Sequence, residues 1–510
     1  MNAALGAQAP AQGPFANFAR DFAASIVVFL VAMPLCMGIA IASGAPPEMG
    51  LVTGIIGGIV VGFLAGSPLQ VSGPAAGLAV IVFEFIREHG LAALGPMLVL
   101  AGILQLIAGV MKLGGAFRSI SPAVVHGMLA GIGALIVVGQ FHTLFDAPPL
   151  SSGLENLMAI PGRVFDLSPN LRSTELALMI GVLTIVVMLG WEKLRPASMK
   201  LVPGALLGVV AATVAAYAFG LEIARVAVPE SISAAFSLPG DGFLAPLATP
   251  AIVLSALVIA FIASAETLLS AAAVDRMHDG TRTDYNRELR AQGIGNLLCG
   301  VAGGLPMTGV IVRSSANVQA GAKSRLSTIL HGTWILGFVA LLPWLLREIP
   351  MAALGGVLVV TGWRLVSLQH VRHLLHVHGR LPALIWLVTF VLVVATDLLT
   401  GVLAGLALSL VELLPHRRGL KLQVTQREEG DATHVVLNGS ATFLSLARLN
   451  AVLEALPENR PVRLNLDAVN GMDHTASETL GEWLSRQKKR GTDIEVTGCP
   501  TVTRSLAMAG

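Results

Sequence analysis

Apolar runs, each closed by glycine, proline or a short charged loop, follow one another along most of this chain. They begin near Phe22, Met49, Leu69, Ala92, Ser119, Leu176, Leu201, Ala248, Ala291, Gly309, Leu326, Met351, Leu381 and Gly401. That spacing predicts about fourteen membrane segments, several shorter than the roughly 20 residues a helix needs to cross the hydrocarbon core. Beyond Pro415 the pattern changes. From Arg417 to Gly510 stand 23 of the 64 charged residues, in a stretch that alternates predicted strand and helix: Thr433 to Leu437, Leu446 to Leu456, Val462 to Leu466, Ala476 to Lys488 and Asp493 to Thr497. The expected organisation is a tail over 1–20, a transmembrane domain over 21–415 and a small α/β domain over 416–510.

Charge in the loops sets the orientation. Loops after even-numbered segments carry most of the lysine and arginine, among them Lys112, Arg118, Lys193, Arg195, Lys200, Arg276, Arg282, Lys323, Arg364 and Arg372, whereas the opposite face has chiefly Arg87, Arg163, Arg172, Arg225 and Arg347. The positive-inside rule then puts both termini in the cytoplasm. Fourteen segments divide into seven and seven, and an odd-numbered unit that is repeated must be inverted in the membrane. Segment 3 then corresponds to segment 10, and segment 1 to segment 8.

Composition removes several classes of function. With 510 residues, 54% hydrophobic, 13% charged and a mean hydropathy of +0.75, the chain is a polytopic membrane protein. A net charge of +2 without a basic groove argues against nucleic acid as a partner. Cys36, Cys299 and Cys499 are too scattered for a disulfide framework or a zinc site. The N-terminus lacks the basic region of a signal peptide. No nucleophile elbow, Walker motif or dinucleotide fingerprint is present, so an enzyme is not expected.

Two interrupted segments carry the chemistry. Leu69 to Gly77 runs a few extended residues into Ser72-Gly73-Pro74 and then an apolar half-helix, and Leu305 to Ser315 repeats the arrangement after Gly303, Gly304 and Pro306. They fall on segments 3 and 10, which the inverted repeat makes equivalent, and paired interruptions of this kind mark a transporter site at a repeat interface. A helix that starts inside the membrane leaves its first N–H groups unpaired and presents the positive end of its dipole. Two such ends make an anion site. Ala75, Ala76 and Gly77 on one side and Ile311, Val312 and Arg313 on the other would supply backbone donors, with Thr308, Ser314 and Ser315 adding hydroxyls. Arg313 is an ionisable residue at membrane depth, by default part of a substrate pathway. The plainer alternative is that the Gly-Pro pairs only kink two helices and that Arg313 reaches the cytoplasmic surface.

Glu266 closes 24 uncharged residues of segment 8, and Ser270 shares its helix face. That carboxylate could neutralise Arg313, bind a coupling cation with hydroxyls such as those of Thr267 and Ser270, or carry a proton; the plainer reading has it only pair with Arg313 or lie at the helix end beside the Asp275-Arg276 loop. Other polar features read as structural. Gly54, Gly58, Gly62 and Gly66 have the spacing of close helix packing. His126, His142 and His331 lie singly in apolar segments, Asp397 caps a short segment, and Arg364, His370, Arg372, His373, His376 and His378 form a solvated loop.

These residues together resemble the sulfate permease family of anion transporters. The resemblance is carried by Ala32-Met33-Pro34-Leu35 with Ser43-Gly44-Ala45-Pro46-Pro47, by Ser72-Gly73-Pro74, by Arg313-Ser314 and by the C-terminal domain. It implies two intertwined inverted seven-segment repeats, a core domain of segments 1 to 4 and 8 to 11 moving against a gate domain, and a homodimer. The C-terminal part resembles a STAS domain, its signature loop being Met472-Asp473-His474-Thr475-Ala476. Thr475 then matches a phosphorylatable serine of bacterial relatives of that domain and becomes a candidate regulatory site, and the STAS domain could engage a cytosolic partner. Glu266 and Ser270 match positions where bicarbonate-transporting relatives hold sodium, and a glutamate there leaves proton coupling open. Val310 and Val312 stand where some relatives place serines. The opening, Pro34-Leu35-Cys36 with Ser43-Gly44-Ala45, resembles the branch linked to carbonic anhydrase. The expectation is a secondary transporter of small inorganic anions, bicarbonate ahead of sulfate, in a bacterial inner membrane, with no cofactor beyond a coupling sodium ion or proton. Two rival readings are a nucleobase-cation symporter of the same fold and a non-transporting membrane sensor or scaffold.

Overall fold

The computed structural model describes residues 14–498 apart from 118–120, 151, 166–172, 197–198, 200–201, 228–235, 237–238, 276, 279, 367–374, 376–379, 397, 412–421, 430–431, 443–444, 446–448, 450–451, 454–455, 457–459 and 490–491. Helix α1 spans Pro14–Ala42, starting inside the expected tail. Helix α2, Pro47–Ile56, continues through a π turn at Gly57–Val61 into Gly62–Leu64. Strand β1, Ser72–Pro74, leads through a 3-10 turn at Ala76–Leu78 into α3, Ala79–His89; α4 is Leu94–Val110, α5 Pro122–Thr143, α6 Gly153–Phe165, α7 Ser173–Leu194 and α8 Gly204–Ala218. The second half gives α9, Pro250–Asp275, α10, Tyr285–Ala302, strand β2, Met307–Gly309, and α11, Ile311–Gln319. Then come α12, Leu326–Leu341, α13, Met351–Leu365, α14, Arg380–Ala395, and α15, Leu398–Val411.

Among the described residues six helices are long and apolar enough to cross a membrane, and five shorter apolar helices accompany them. Two elements depart from the hydrophobic pattern. Helix α10 starts at Tyr285, before the expected Ala291, because Asp284 caps it by accepting from the N–H groups of Asn286 and Arg287, and its first turns are polar. Helix α6 was not among the expected segments; its apolar positions Leu154, Leu157 and Met158 are exposed and alternate with Glu155 and Asn156, so hydropathy alone does not single it out.

The described chain divides into two compact units, one of Met1–Lys112, Gln140–Pro149 and Arg163–Leu358, the other of Leu113–Gly139, Leu150–Gly162 and Val359–Gly510. In the first unit, α4 and α10 pack backbone to backbone: a Cβ on Gly102 would fall 2.4 Å from the nitrogen of Leu297. Helix α2 meets α12 in the same way, since a Cβ on Gly58 would fall 2.5 Å from the Cα of Gly332, so the glycine spacing serves helix packing.

The second unit includes the C-terminal domain. Its sheet has the order β3-β4-β5-β6, from Gln423–Glu429, Ala432–Ala441, Val462–Met472 and Ile494–Gly498; the first pair is antiparallel and the other two are parallel. Helix α16, His474–Lys489, sends Ala476, Leu480 and Trp483 into a core with Val435, Leu437, Leu464 and Leu466. Strand β3 was not expected, because Gln423-Val424-Thr425-Gln426-Arg427-Glu428-Glu429 is an edge strand rich in charge. Asp397, His370, Arg372, His373, His376, His378, Cys499 and the side chain of Thr475 lie outside the described residues, as does most of the helix expected over Leu446 to Leu456.

Candidate functional site

The two interrupted segments meet in the first unit. Strands β1 and β2 pair antiparallel, with Ser72 opposite Gly309, Gly73 opposite Thr308 and Pro74 opposite Met307. The N–H of Val310 extends the ribbon by donating to the carbonyl of Val71 at 2.8 Å. Ala75 and Val310 have extended backbone and no side-chain cap, and after each the chain turns helical. The first N–H groups of both half-helices, at Ala76 and Gly77 on one side and Ile311, Val312 and Arg313 on the other, therefore have no intrahelical partner. A π turn in α2 lies against this ribbon: a Cβ on Gly57 would fall 2.6 Å from the carbonyl oxygen of Ser72.

Among the described residues Arg313 is the largest fully buried side chain, at 0% exposure. Its Nη1 donates to the Sγ of Cys36 at 3.3 Å and lies over Gly73, where a Cβ would stand 2.2 Å away. Its Nε and Nη2 are buried with no partner. The arginine thus does not reach a surface. Thr308, opposite Gly73 in the ribbon, is also fully buried, with its hydroxyl unpartnered. The carboxylate of Glu266 lies at the start of the other half-helix, where a Cβ on Gly77 would stand 2.9 Å from both of its oxygens, and its Oε2 has no partner. Among the described residues Glu266 and Arg313 do not form an ion pair, so neither neutralises the other.

Other expected side chains are engaged with the scaffold. Ser314 accepts from the N–H of Val71 at 2.9 Å and donates to the carbonyl of Val310 at 2.7 Å, so its hydroxyl proton is not free for a ligand. Ser315 donates to the carbonyl of Val312. Thr267 accepts at Oγ1 from the N–H of Gly309 at 3.1 Å, and its carbonyl accepts from Nε2 of Gln70. Ser270 is buried one turn beyond Glu266. Ala75 and Gly77 are buried and Ala76 half-buried, without bulk that would bar a small ion from the backbone. Among the described residues no group of three or more His, Cys, Asp or Glu could hold a metal ion.

The sequence reading missed the residues that hold the ribbon in place. On α10, Glu288, Gln292 and Asn296 recur every four residues and are fully buried. Asn296 grips β2 by accepting from the N–H of Met307 at 2.7 Å and donating to its carbonyl at 3.1 Å, and also donates to Gln105 on α4. Gln292 grips β1 by donating to the hydroxyl of Ser72 at 2.6 Å and donates as well to Glu288, whose other oxygen accepts from the N–H groups of Gly66 and Ser67. Asn317 on α11 donates to the carbonyl of Leu69. The signal was available: three polar residues on one face of a helix inside a membrane protein are expected to bond within the protein.

Residues 18–389 match the sequence profile of the Sulfate permease family, and residues 424–510 match that of a STAS domain described as "Mlab, STAS domain". The "Putative sulfate transporter YvdB" of Bacillus subtilis is 30% identical over 96% of this chain and 93% of its own length. The "Bicarbonate transporter BicA" of Synechocystis is 28% identical over 96% of this chain and 90% of its own. The fold is similar to the transmembrane domain of a cyanobacterial bicarbonate transporter BicA, with a TM-score of 0.66 and 24% identity over 77% of this chain and 98% of that one.

Proposed function

The chain belongs to the sulfate permease family, as a multi-pass membrane protein with a C-terminal STAS domain related to sulfate and bicarbonate transporters, and on that premise we propose that it is a secondary active transporter whose anion binds between the N-termini of α3 and α11. One observation carries the reading: a buried arginine with two unpartnered donors stands beside a ribbon from which two half-helices start. Unpaired N–H groups, positive dipole ends and a guanidinium all favour an anion.

Bicarbonate is placed ahead of sulfate. The carboxylate of Glu266 at the first turn of one half-helix would repel a dianion but can accept from the O–H of bicarbonate. The same group, with Thr267 and Ser270, is our candidate for the coupling ion. Sodium would need oxygen ligands, whereas a proton needs only the carboxyl. We place the protein in a bacterial inner membrane with both termini cytoplasmic, as a homodimer in which the STAS domain supports assembly.

The test is uptake of labelled bicarbonate, sulfate and uracil into proteoliposomes of the purified full chain, with sodium and pH gradients imposed separately. Anion uptake driven by one of these gradients is the expected result. Uptake of uracil alone would assign a nucleobase symporter, and no uptake of any substrate would leave a sensor or scaffold; either outcome overturns the proposal.

A further inference from the structure

The guanidinium of Arg313 offers its donors unequally. Nη1 is held between the Sγ of Cys36 at 3.3 Å and the bare Cα of Gly73, while Nε and Nη2 are buried and unpartnered. Nε and Nη2 belong to one edge of the planar group, the edge whose two parallel N–H bonds match two oxygens of a carboxylate-like ion. The thiol therefore does more than fill space. By taking Nη1 it would fix the rotation of the guanidinium, with the paired edge on the side of the planar group away from Sγ.

The chemistry of sulfur suits this task. A thiol is a weak, neutral acceptor, so it orients the guanidinium without neutralising it. A carboxylate at position 36 would hold the arginine with a stronger charge-assisted pair and compete with any incoming anion. Room for the sulfur is provided across α1 and α2: a Cβ on Gly54 would stand 2.8 Å from Sγ. Cys36 itself is fully buried, and Cys299, the other described free cysteine, instead lies by Gly304, where a Cβ would meet its sulfur at 3.2 Å.

We propose that Cys36 is a positioning residue for anion recognition, orienting Arg313 so that its Nε–Nη2 edge selects planar oxyanions such as bicarbonate and nitrate over a spherical ion such as chloride. The inference rests on Arg313 being the anion-binding cation. It adds that selectivity by ion shape is set from α1, by a residue that need not touch the anion.

The experiment measures dissociation constants of nitrate, bicarbonate and chloride by calorimetry on the purified full chain, for wild type, Cys36→Ala, Cys36→Ser, each of these in an Arg313→Lys background, and Arg313→Ala. Losing the bidentate register is expected to weaken nitrate and bicarbonate about tenfold in Cys36→Ala while chloride changes less than about twofold. Cys36→Ser keeps an acceptor and is expected to retain the wild-type ranking of the three ions. With lysine at 313 there is no edge to orient, so Cys36→Ala is expected to have no further effect. A loss equal for all three ions, or one that adds fully to that of Arg313→Lys, assigns Cys36 a packing role and overturns the inference. Should Cys36→Ala fail to fold, a Cys36→Ser protein with a changed ion ranking overturns it equally. Nitrate binding that survives Arg313→Ala defeats the anion-site reading itself, whereas binding that needs Arg313 but ignores Cys36 defeats this inference alone.

Discussion

Replacing Arg313 by alanine is expected to separate anion binding from stability, because the side chain is fully buried and has no carboxylate partner among the described residues. Two donors, Nε and Nη2, are unpartnered and available to an oxyanion. Hydrogen bonds to charged groups contribute about 1.5–3 kcal/mol each, so losing two removes roughly 3–6 kcal/mol of binding, a fall of about 10²–10⁴ in affinity. The ion-free protein behaves differently. Truncation leaves a cavity, which destabilises, but it also removes a buried charge that has no counter-charge, which stabilises. The two effects oppose each other, so the melting temperature of the ion-free protein is expected to stay within a few degrees of wild type. At 100 times its dissociation constant an anion stabilises the wild type by about 2.7 kcal/mol, and that gain should vanish in the variant. Scanning fluorimetry in detergent with and without bicarbonate reads both quantities, and calorimetry gives the affinity. Arg313→Lys should recover binding only in part, since an ammonium lacks the two-donor edge. A folded Arg313→Ala protein with wild-type affinity and wild-type anion-induced stabilisation would refute the argument.

Glu266→Gln should abolish gradient-driven accumulation yet allow exchange of labelled for unlabelled anion, and accumulation that keeps its dependence on sodium or pH would remove Glu266 from the coupling role. Asn296→Ala strands the N–H and carbonyl of Met307 and the Oε1 of Gln105 in the membrane interior. At about 1–3 kcal/mol for each stranded group, discounted for the partners a membrane-unfolded state also finds, the expected destabilisation is roughly 2–4 kcal/mol, and an unchanged melting temperature would show the ribbon is held by other means. Truncation near Pro415 should lower dimer stability, measured by light scattering, with little change in anion affinity; a folded truncation that no longer binds anion would place part of the site outside the membrane domain.

The two chain breaks of the candidate site were legible in the sequence where backbone chemistry dictates them. Gly73-Pro74 and the Gly303, Gly304 and Pro306 cluster interrupt apolar segments too short to span, and the structure puts both breaks into one ribbon, Gly73 opposite Thr308. Charged residues in the last 94 positions marked the C-terminal domain. Its edge strand β3 escaped notice because an exposed edge need not be apolar, and α6 because its polar and apolar positions average to a weak signal. The start of α10 was obscured by its own function. Glu288 and Gln292 look like the end of a loop until they are seen to bind Gly66, Ser67 and Ser72.

The role of each polar side chain was the part sequence could not supply, because it depends on which hydrogen bonds the scaffold takes. Ser314 and Thr308 are both hydroxyl residues of the second interrupted segment, and spacing alone treats them alike. The structure uses Ser314 twice, against Val71 and Val310, and leaves the hydroxyl of Thr308 unpartnered beside Gly73. The same division separates Asn296, whose oxygen and nitrogen both serve the ribbon, from Arg313, which gives one nitrogen to Cys36 and keeps two. In a membrane interior an unpartnered polar atom is costly because no solvent replaces the lost bond. A scaffold that satisfies Ser314, Thr267 and Asn296 while leaving Arg313, Thr308 and Glu266 incomplete therefore concentrates that cost at the proposed anion site.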